Sequence, residues 1–288
     1  MILLYGADTA NVIKEEIESM LKSLNGYTPT LGIVRIGANP ADLSYEKGAI
    51  KKMESLSLNT KVFEFDESIS SDEFLDEFKK INADKNIDGI LLFRPLPKHI
   101  DEKRVIDALD EKKDLDGISY KNIAKIFAGE KDGFAPCTAK AVMKIIESNN
   151  IELEGKNVVV VGRSMVIGKP VAMMALGKNA TVTICHSKTK NLKEVCKNAD
   201  VLIVAVGKAK MINEEYIGDN AVVIDVGINF VDGKLCGDVD LSNVVNAAMA
   251  TPVPKGVGAV TTSVLAEHLV IAAKTNLKIN KLRYEKIS

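Results

Sequence analysis

The chain has 288 residues, of which 46% are hydrophobic, 27% charged and only 5% aromatic. That is enough length for two ordinary domains and enough apolar material for their cores, which excludes disorder as the default state. With 38 basic against 39 acidic side chains the formal charge is -1, so no cation surplus is available to neutralise a phosphate backbone and nucleic acid is not an expected partner. No apolar run approaches the roughly 20 residues of a membrane span. The N-terminus has no basic n-region and reaches Asp8 before an apolar segment forms, so no secretory signal is read. Cys137, Cys185, Cys196 and Cys236 follow no metal-ligand or disulfide spacing, so no metal is expected and a reducing cytoplasm is the expected compartment.

In chain order, Val12, Ile13, Ile17, Met20, Leu21 and Leu24 recur at helical spacing, and residues 31–36 then read as a buried strand. A polar helical stretch at 40–56, a strand at 60–65, a helix at 71–82 and a strand at 88–93 continue the alternation, which predicts an α/β layer with parallel strands. Residues 136–149 form a helical pattern ended by Asn149 and Asn150, a connector between domains. Four strand-like runs follow, at 157–161, 180–185, 201–206 and 221–226, separated by segments of helix length. That spacing is the mark of a doubly wound, dinucleotide-binding fold. Residues 262–275 read as a last helix, and the lysine-rich end as its exposed continuation.

After the strand at 157–161 comes Gly162-Arg163-Ser164-Met165-Val166-Ile167-Gly168-Lys169-Pro170. Backbone N–H groups at a helix N-terminus must come close to a pyrophosphate, and Gly162 and Gly168 supply that room. Ser164 stands in the second glycine's place and the last glycine comes one residue late, so by itself the loop equally describes an ordinary strand-turn-helix. The end of the next strand sharpens the reading. An NAD-selective site carries an acid there for the ribose 2′-OH, whereas this chain has Cys185-His186-Ser187-Lys188. Arg163, His186 and Ser187 offer a cation, an imidazole and a hydroxyl where a 2′-phosphate would sit, so NADP is preferred over NAD. Alone, His186 reads as an ordinary surface histidine.

These motifs, with Ala180-Thr181-Val182-Thr183, Val223-Ile224-Asp225-Val226-Gly227, Gly237-Asp238-Val239-Asp240 and Thr251-Pro252-Val253-Pro254, resemble the methylenetetrahydrofolate dehydrogenase/cyclohydrolase family. The resemblance covers nearly the whole chain, through Asn39-Pro40-Ala41, Tyr45, Asp88-Gly89-Ile90-Leu91, Pro95-Leu96-Pro97, Lys113-Asp114-Leu115-Asp116-Gly117 and Pro136-Cys137-Thr138. It implies two domains with a cleft between them: an N-terminal α/β catalytic domain (1–137 plus 266–288) and a Rossmann-type NADP-binding domain (138–265). It further implies a cytosolic homodimer, joined through the NADP-binding domains, that oxidises 5,10-methylenetetrahydrofolate with NADP+ and in most members hydrolyses the methenyl product. Carried over residue by residue, Tyr45 is the folate tyrosine and Asp116 the acid that holds the pterin, the two catalytic candidates. Pro95, Leu96 and Pro97, with Val253 and Pro254, suit a buried platform for bringing folate and nicotinamide together, or are a structural Pro-rich turn. Gly162, Arg163, Ser164, Gly168, His186, Ser187, Gly207, Gly227 and Ile228 are the cofactor positions. A carboxylate such as Asp116 can accept two parallel hydrogen bonds from an aminopyrimidine edge; without the family it reads as a loop acid in a KxDxDG turn. Tyr45 stacks on or orients the pterin, or is a core or rim tyrosine.

The chain departs from the family in ways that bear on hydrolysis. The resemblance implies a lysine four residues after the tyrosine, on the same helix face, where this chain has Ala49. Lys47 should point away, and Lys52, which shares the face, sits about 10 Å along the axis. The glutamine two residues before the first proline of Pro95-Leu96-Pro97 is here Phe93. Further changes are Asp42 for serine, Lys255 for the first glycine of a Gly-Gly pair and Ala259 for proline; Asp42 and Arg94 either form a compensating ion pair or are plain surface residues. The reading is an NADP-dependent dehydrogenase with weak or absent cyclohydrolase activity. Its alternatives are the fully bifunctional enzyme, a non-catalytic NADP-binding protein, and an oxidoreductase for a hydroxy acid, which would want an acid-base pair that His99, His186 and His268 do not obviously offer.

Overall fold

The computed structural model describes the backbone of residues 1–285 and the side chains of residues 1–277. The chain divides into two compact units, one of residues 13–125, 132–135 and 262–288, the other of residues 1–12, 126–131 and 136–261. Three helices, α1 (Gly6–Lys22), α5 (Tyr120–Ala128) and α9 (Gly258–Glu285), have residues in both units.

The first unit is built on β2 (Thr30–Ile36), β3 (Asn59–Phe65) and β4 (Gly89–Leu92), a parallel sheet in the order β3-β2-β4. The helices α2 (Pro40–Ser55) and α3 (Ser71–Ala83) are the crossovers that parallel strands require. Local chemistry sets their starts. The Asn39 side chain accepts the N–H of Ala41, with Pro40 in the first turn, and Ser70 and Glu73 form a reciprocal capping box. Phe74, Phe78 and Ile81 of α3 are buried with Val34, Ile90 and Leu92 in one core. Beyond β4 come α4 (Glu102–Ala108) and α5 (Tyr120–Ala128).

Residues 113–117 run alongside β4, with Ile90 N–H donating to Lys113 O at 2.6 Å and Leu115 N–H to Ile90 O at 3.3 Å. The close approach needs Gly89, whose Cβ would lie 2.4 Å from a Leu115 methyl. The turn that follows is tied by Asp114, 1% exposed, whose carboxylate accepts Ile118 N–H at 3.0 Å, Ser119 N–H at 2.8 Å and Asn122 Nδ2 at 2.9 Å.

The second unit holds a six-stranded parallel sheet in the order β1-β11-β8-β7-β5-β6, from β1 (Ile2–Leu3), β5 (Asn157–Val161), β6 (Thr181–Cys185), β7 (Val201–Val204), β8 (Val222–Asp225) and β11 (Met249–Ala250). The strand order reverses at β5, which lies between β6 and β7. The chain crosses over through α7 (Gly168–Leu176) and α8 (Leu192–Lys197), preceded by α6 (Cys137–Ser148). The four strands read from periodicity coincide with β5 to β8. The sequence pattern does not reveal β1 and β11, because two-residue strands carry no period. Residues 1–12, read with the first domain, cluster with this sheet through Ile2 N–H to Ala248 O at 2.7 Å and Leu4 N–H to Ala250 O at 2.8 Å. A hairpin of β9 (Asn229–Val231) and β10 (Lys234–Cys236) also went unread, although Asp232-Gly233, both at positive φ, is a readable hairpin turn. Helix α1 begins six residues before Val12, at Gly6, where no apolar period marks it. Helix α9 likewise starts before Thr262 and continues to Glu285, while the lysine side chains beyond residue 277 lie outside the described residues.

Replacing Asp114 with Ala strands three buried donors. The expected loss is about 3 kcal/mol of unfolding free energy, read from urea denaturation; a loss under about 1 kcal/mol would mean that the turn is held otherwise.

Candidate functional site

In doubly wound sheets ligands bind beyond the carboxyl ends of the strands where the order reverses. Register brings the relevant loops together here: Val161 of β5 pairs with Cys185 of β6 and with Val204 of β7. The loops beginning at Gly162, His186 and Ala205 therefore leave the sheet side by side. Gly162 N–H donates to Cys185 O at 2.9 Å, and Ala205 N–H to Val161 O at 2.8 Å. Both glycines of the first loop are forced by packing. A Cβ on Gly162, at φ 139°, would lie 2.4 Å from Ala205 O, and one on Gly168 would lie 2.2 Å from Gly162 O.

Ser164 has a role that spacing alone does not reveal. Its Oγ accepts Ile167 N–H at 3.1 Å and Gly168 N–H at 3.4 Å, capping the start of α7. Arg163, Ser164 and Ser187 are exposed and His186 is partly so. His186 Nδ1 accepts Lys188 N–H at 3.1 Å, which leaves Nε2 as the protonated nitrogen of the neutral ring. Residues 162–170 and 185–190 contain no carboxylate and four cations, Arg163, Lys169, Lys188 and Lys190.

Two aspartates passed over by sequence reasoning organise the ends of the next strands. Asp225, at the end of β8, accepts Gly227 N–H at 2.9 Å, Asp238 N–H at 3.1 Å and Val239 N–H at 2.9 Å. Asp238 accepts the N–H groups of Val206, Gly207 and Lys208 and the Asn229 amide. The readable signal was the glycine near each acid: a Cβ on Gly227 would lie 2.2 Å from Asp238, and one on Gly237 1.9 Å from Asp225. Burial pushes the Asp225 carboxyl up to about 6, against the pull of its three N–H donors. Gly227, Ile228, Val253 and Pro254 line a cavity of about 210 Å³ at the end of β8. Lys255 on its rim sits at φ 83°, a conformation that favours glycine.

In the other unit the candidate residues gather at the carboxyl end of the three-stranded sheet. The Tyr45 ring meets Phe93 edge-on, with centroids 5.8 Å apart. Ala49, one turn along α2, is 0% exposed. Buried Arg35 anchors this end of α2 through Glu46 at 2.9 Å and reaches Glu64 of β3 at 2.8 Å. Asp116 lies in the segment beside β4, level with the end of that strand, and is partly exposed, unlike buried Asp114. Leu96 is buried and Pro95 exposed in the loop after β4. The Asp42–Arg94 ion pair does not form: Arg94 pairs with Glu102 at 2.9 Å, and burial raises the Asp42 carboxyl despite the charge of Arg35.

His99 meets Ile69 O at 3.0 Å, and His268, buried, meets Leu115 O at 2.8 Å. Among the described residues no group of three or more His, Cys, Asp or Glu is placed to hold a metal ion, and no helix is long and apolar enough to cross a membrane.

Residues 4–116 match the family model described as tetrahydrofolate dehydrogenase/cyclohydrolase, catalytic domain, and residues 136–277 match that family's NAD(P)-binding domain. The chain is 51% identical over 276 residues to the bifunctional protein FolD of Clostridioides difficile (strain 630), covering 94% of this chain and 96% of that protein. The crystal structure of the bifunctional enzyme FolD from Campylobacter jejuni is similar with a TM-score of 0.92 at 36% identity, covering 96% of this chain and 99% of that one. The Trypanosoma brucei FolD structure, complexed with NADP cofactor and inhibitor, is similar with a TM-score of 0.88 at 28% identity, covering 96% and 98%.

The raised Asp225 pKa carries a stability signature. The folded state holds this proton above the ordinary carboxylate range, so the contribution is favourable at low pH and is lost as pH rises from about 4 through about 6. Between pH 4.5 and 7 the stability of the wild type relative to Asp225→Asn should fall by about 2 kcal/mol in urea titrations. A difference independent of pH would disprove the raised pKa.

Proposed function

The chain belongs to the tetrahydrofolate dehydrogenase/cyclohydrolase family, and we propose that it uses NADP+ to oxidise 5,10-methylenetetrahydrofolate to the 5,10-methenyl form, with hydrolysis to 10-formyltetrahydrofolate weak or absent. The observation that carries the cofactor reading is the pair of adjacent, carboxylate-free loops after β5 and β6. They fit a dinucleotide with a 2′-phosphate: Gly162 and Gly168 keep the backbone clear, Ser164 caps the helix start, and Arg163, His186 and Ser187 supply a cation and polar groups. Gly207, Gly227 and Ile228 are assigned to the remainder of the cofactor. When bound, NADP+ supplies the hydride acceptor.

The chain's own task is then to hold the folate and exclude water. Tyr45 orients the pterin, Asp116 accepts hydrogen bonds from its aminopyrimidine edge, and Pro95, Leu96 and Pro254 provide apolar surface. In this reading residues 1–137 with 266–288 bind folate, residues 138–265 bind NADP, and two copies associate through the NADP-binding parts in the cytoplasm. The reading against hydrolysis rests on Ala49, wholly buried, and Phe93, packed against Tyr45. Neither side chain can carry a proton or a charge, and general acid-base help is worth about 10²–10⁴-fold. The second reading, a fully bifunctional enzyme with water positioned by Tyr45 and Asp116, is favoured by the name of the 51% identical relative.

Purified protein should form NADPH from methylenetetrahydrofolate while hydrolysing the methenyl form at the buffer rate; comparable rates for the two steps would favour the second reading. Joint replacement Ala49→Lys with Phe93→Gln should raise hydrolysis by about a hundredfold, and no rise would refute the roles assigned to those positions. Arg163→Ala should raise KM for NADP+ by about tenfold and leave KM for NAD+ near its original value. An equal change for both cofactors would defeat the 2′-phosphate assignment.

A further inference from the structure

We propose that Asp238 is a positioning residue for the dinucleotide, holding the turn after β7 in one shape and tying it to the segment after β8. The proposal rests on the NADP reading of this sheet. Asp238 is 0% exposed. Its Oδ2 accepts Val206 N–H at 2.6 Å and Gly207 N–H at 2.9 Å, and its Oδ1 accepts Lys208 N–H at 2.8 Å and Asn229 Nδ2 at 2.9 Å.

Three successive main-chain N–H groups converging on one point form a concavity of the kind that binds anions. Here the chain supplies the anion itself. Those N–H groups are already engaged, so this turn has none of them left for a pyrophosphate. What the turn offers instead is Gly207, at φ 64° with no atom within 4 Å of a Cβ added there. Its outer face is open, and it stands after β7, beside β5, at the point where the strand order reverses.

Asp238 is itself held from below. Its own N–H donates to Asp225 Oδ1 at 3.1 Å, and Gly227 leaves no room for a side chain against its carboxylate. The stack of Asp225, Asp238 and the 206–208 turn therefore links the ends of β7 and β8 through hydrogen bonds within the chain. A turn shaped in advance does not have to be ordered by the cofactor, and that difference appears in affinity. Because Gly207 serves parts common to both dinucleotides, the effect is blind to the 2′-phosphate.

The test uses the full chain, with KM for NADP+, NAD+ and methylenetetrahydrofolate, kcat, direct binding of NADP+ by calorimetry, and thermal unfolding. Asp238→Asn, which turns an amide toward N–H donors, should raise KM for NADP+ and NAD+ by the same factor of about ten, with kcat and the folate KM within about twofold. Asn229→Ala removes one donor and should shift both cofactor KM values the same way by about threefold, which keeps the test decisive if Asp238→Asn does not fold. Cofactor KM values unchanged in the folded variants, with only kcat or thermal stability reduced, would overturn the proposal and leave Asp238 as a structural residue. A wild-type protein that binds no NADP+ would overturn the cofactor reading as well, whereas a binding wild type with equally binding variants would overturn this proposal alone.

Discussion

Parallel strands release their loops at one edge, and the main-chain N–H groups of those loops lose the ladder that satisfied them within the sheet. Much of the architecture at both candidate sites is an answer to that constraint. Asp225 and Asp238 collect six main-chain N–H groups between them beyond β7 and β8, Ser164 takes two at the start of α7, and Asp114 takes two in the turn that leads on from Asp116. A buried carboxylate is costly unless such donors surround it. The glycines beside these acids follow from the same need, because a Cβ at 227 or 237 would occupy the space of the carboxylate.

Rigidity of this kind separates framework from chemistry. Within the segment 113–117 the two aspartates differ in exposure: Asp114 is buried and accepts two main-chain N–H groups and the Asn122 amide, while Asp116 is partly exposed. The surroundings of Tyr45 show a comparable division. Arg35 and Glu46 fix the helix that bears it, whereas Phe93 packs edge-on against its ring. Lys255, at a backbone angle suited to glycine, is a departure for which the structure offers no compensating contact.

Periodicity and motif determined a great deal. The alternation of helix and strand, the four strands β5 to β8, the glycine-bounded loop and the absence of an acid after β6 were all legible, because each depends on residues close in sequence. Tertiary structure alone decided three things. Strands β1 and β11 arise from pairing between chain ends nearly 250 residues apart, which no local pattern encodes. Arg94 takes Glu102 and not Asp42 because side-chain partners are set by where helices land. The roles of Ser164, Asp225 and Asp238 became visible only once their hydrogen-bond donors were in place. Spacing along the chain reports which face a residue shares, whereas burial and donor count depend on segments brought together by folding.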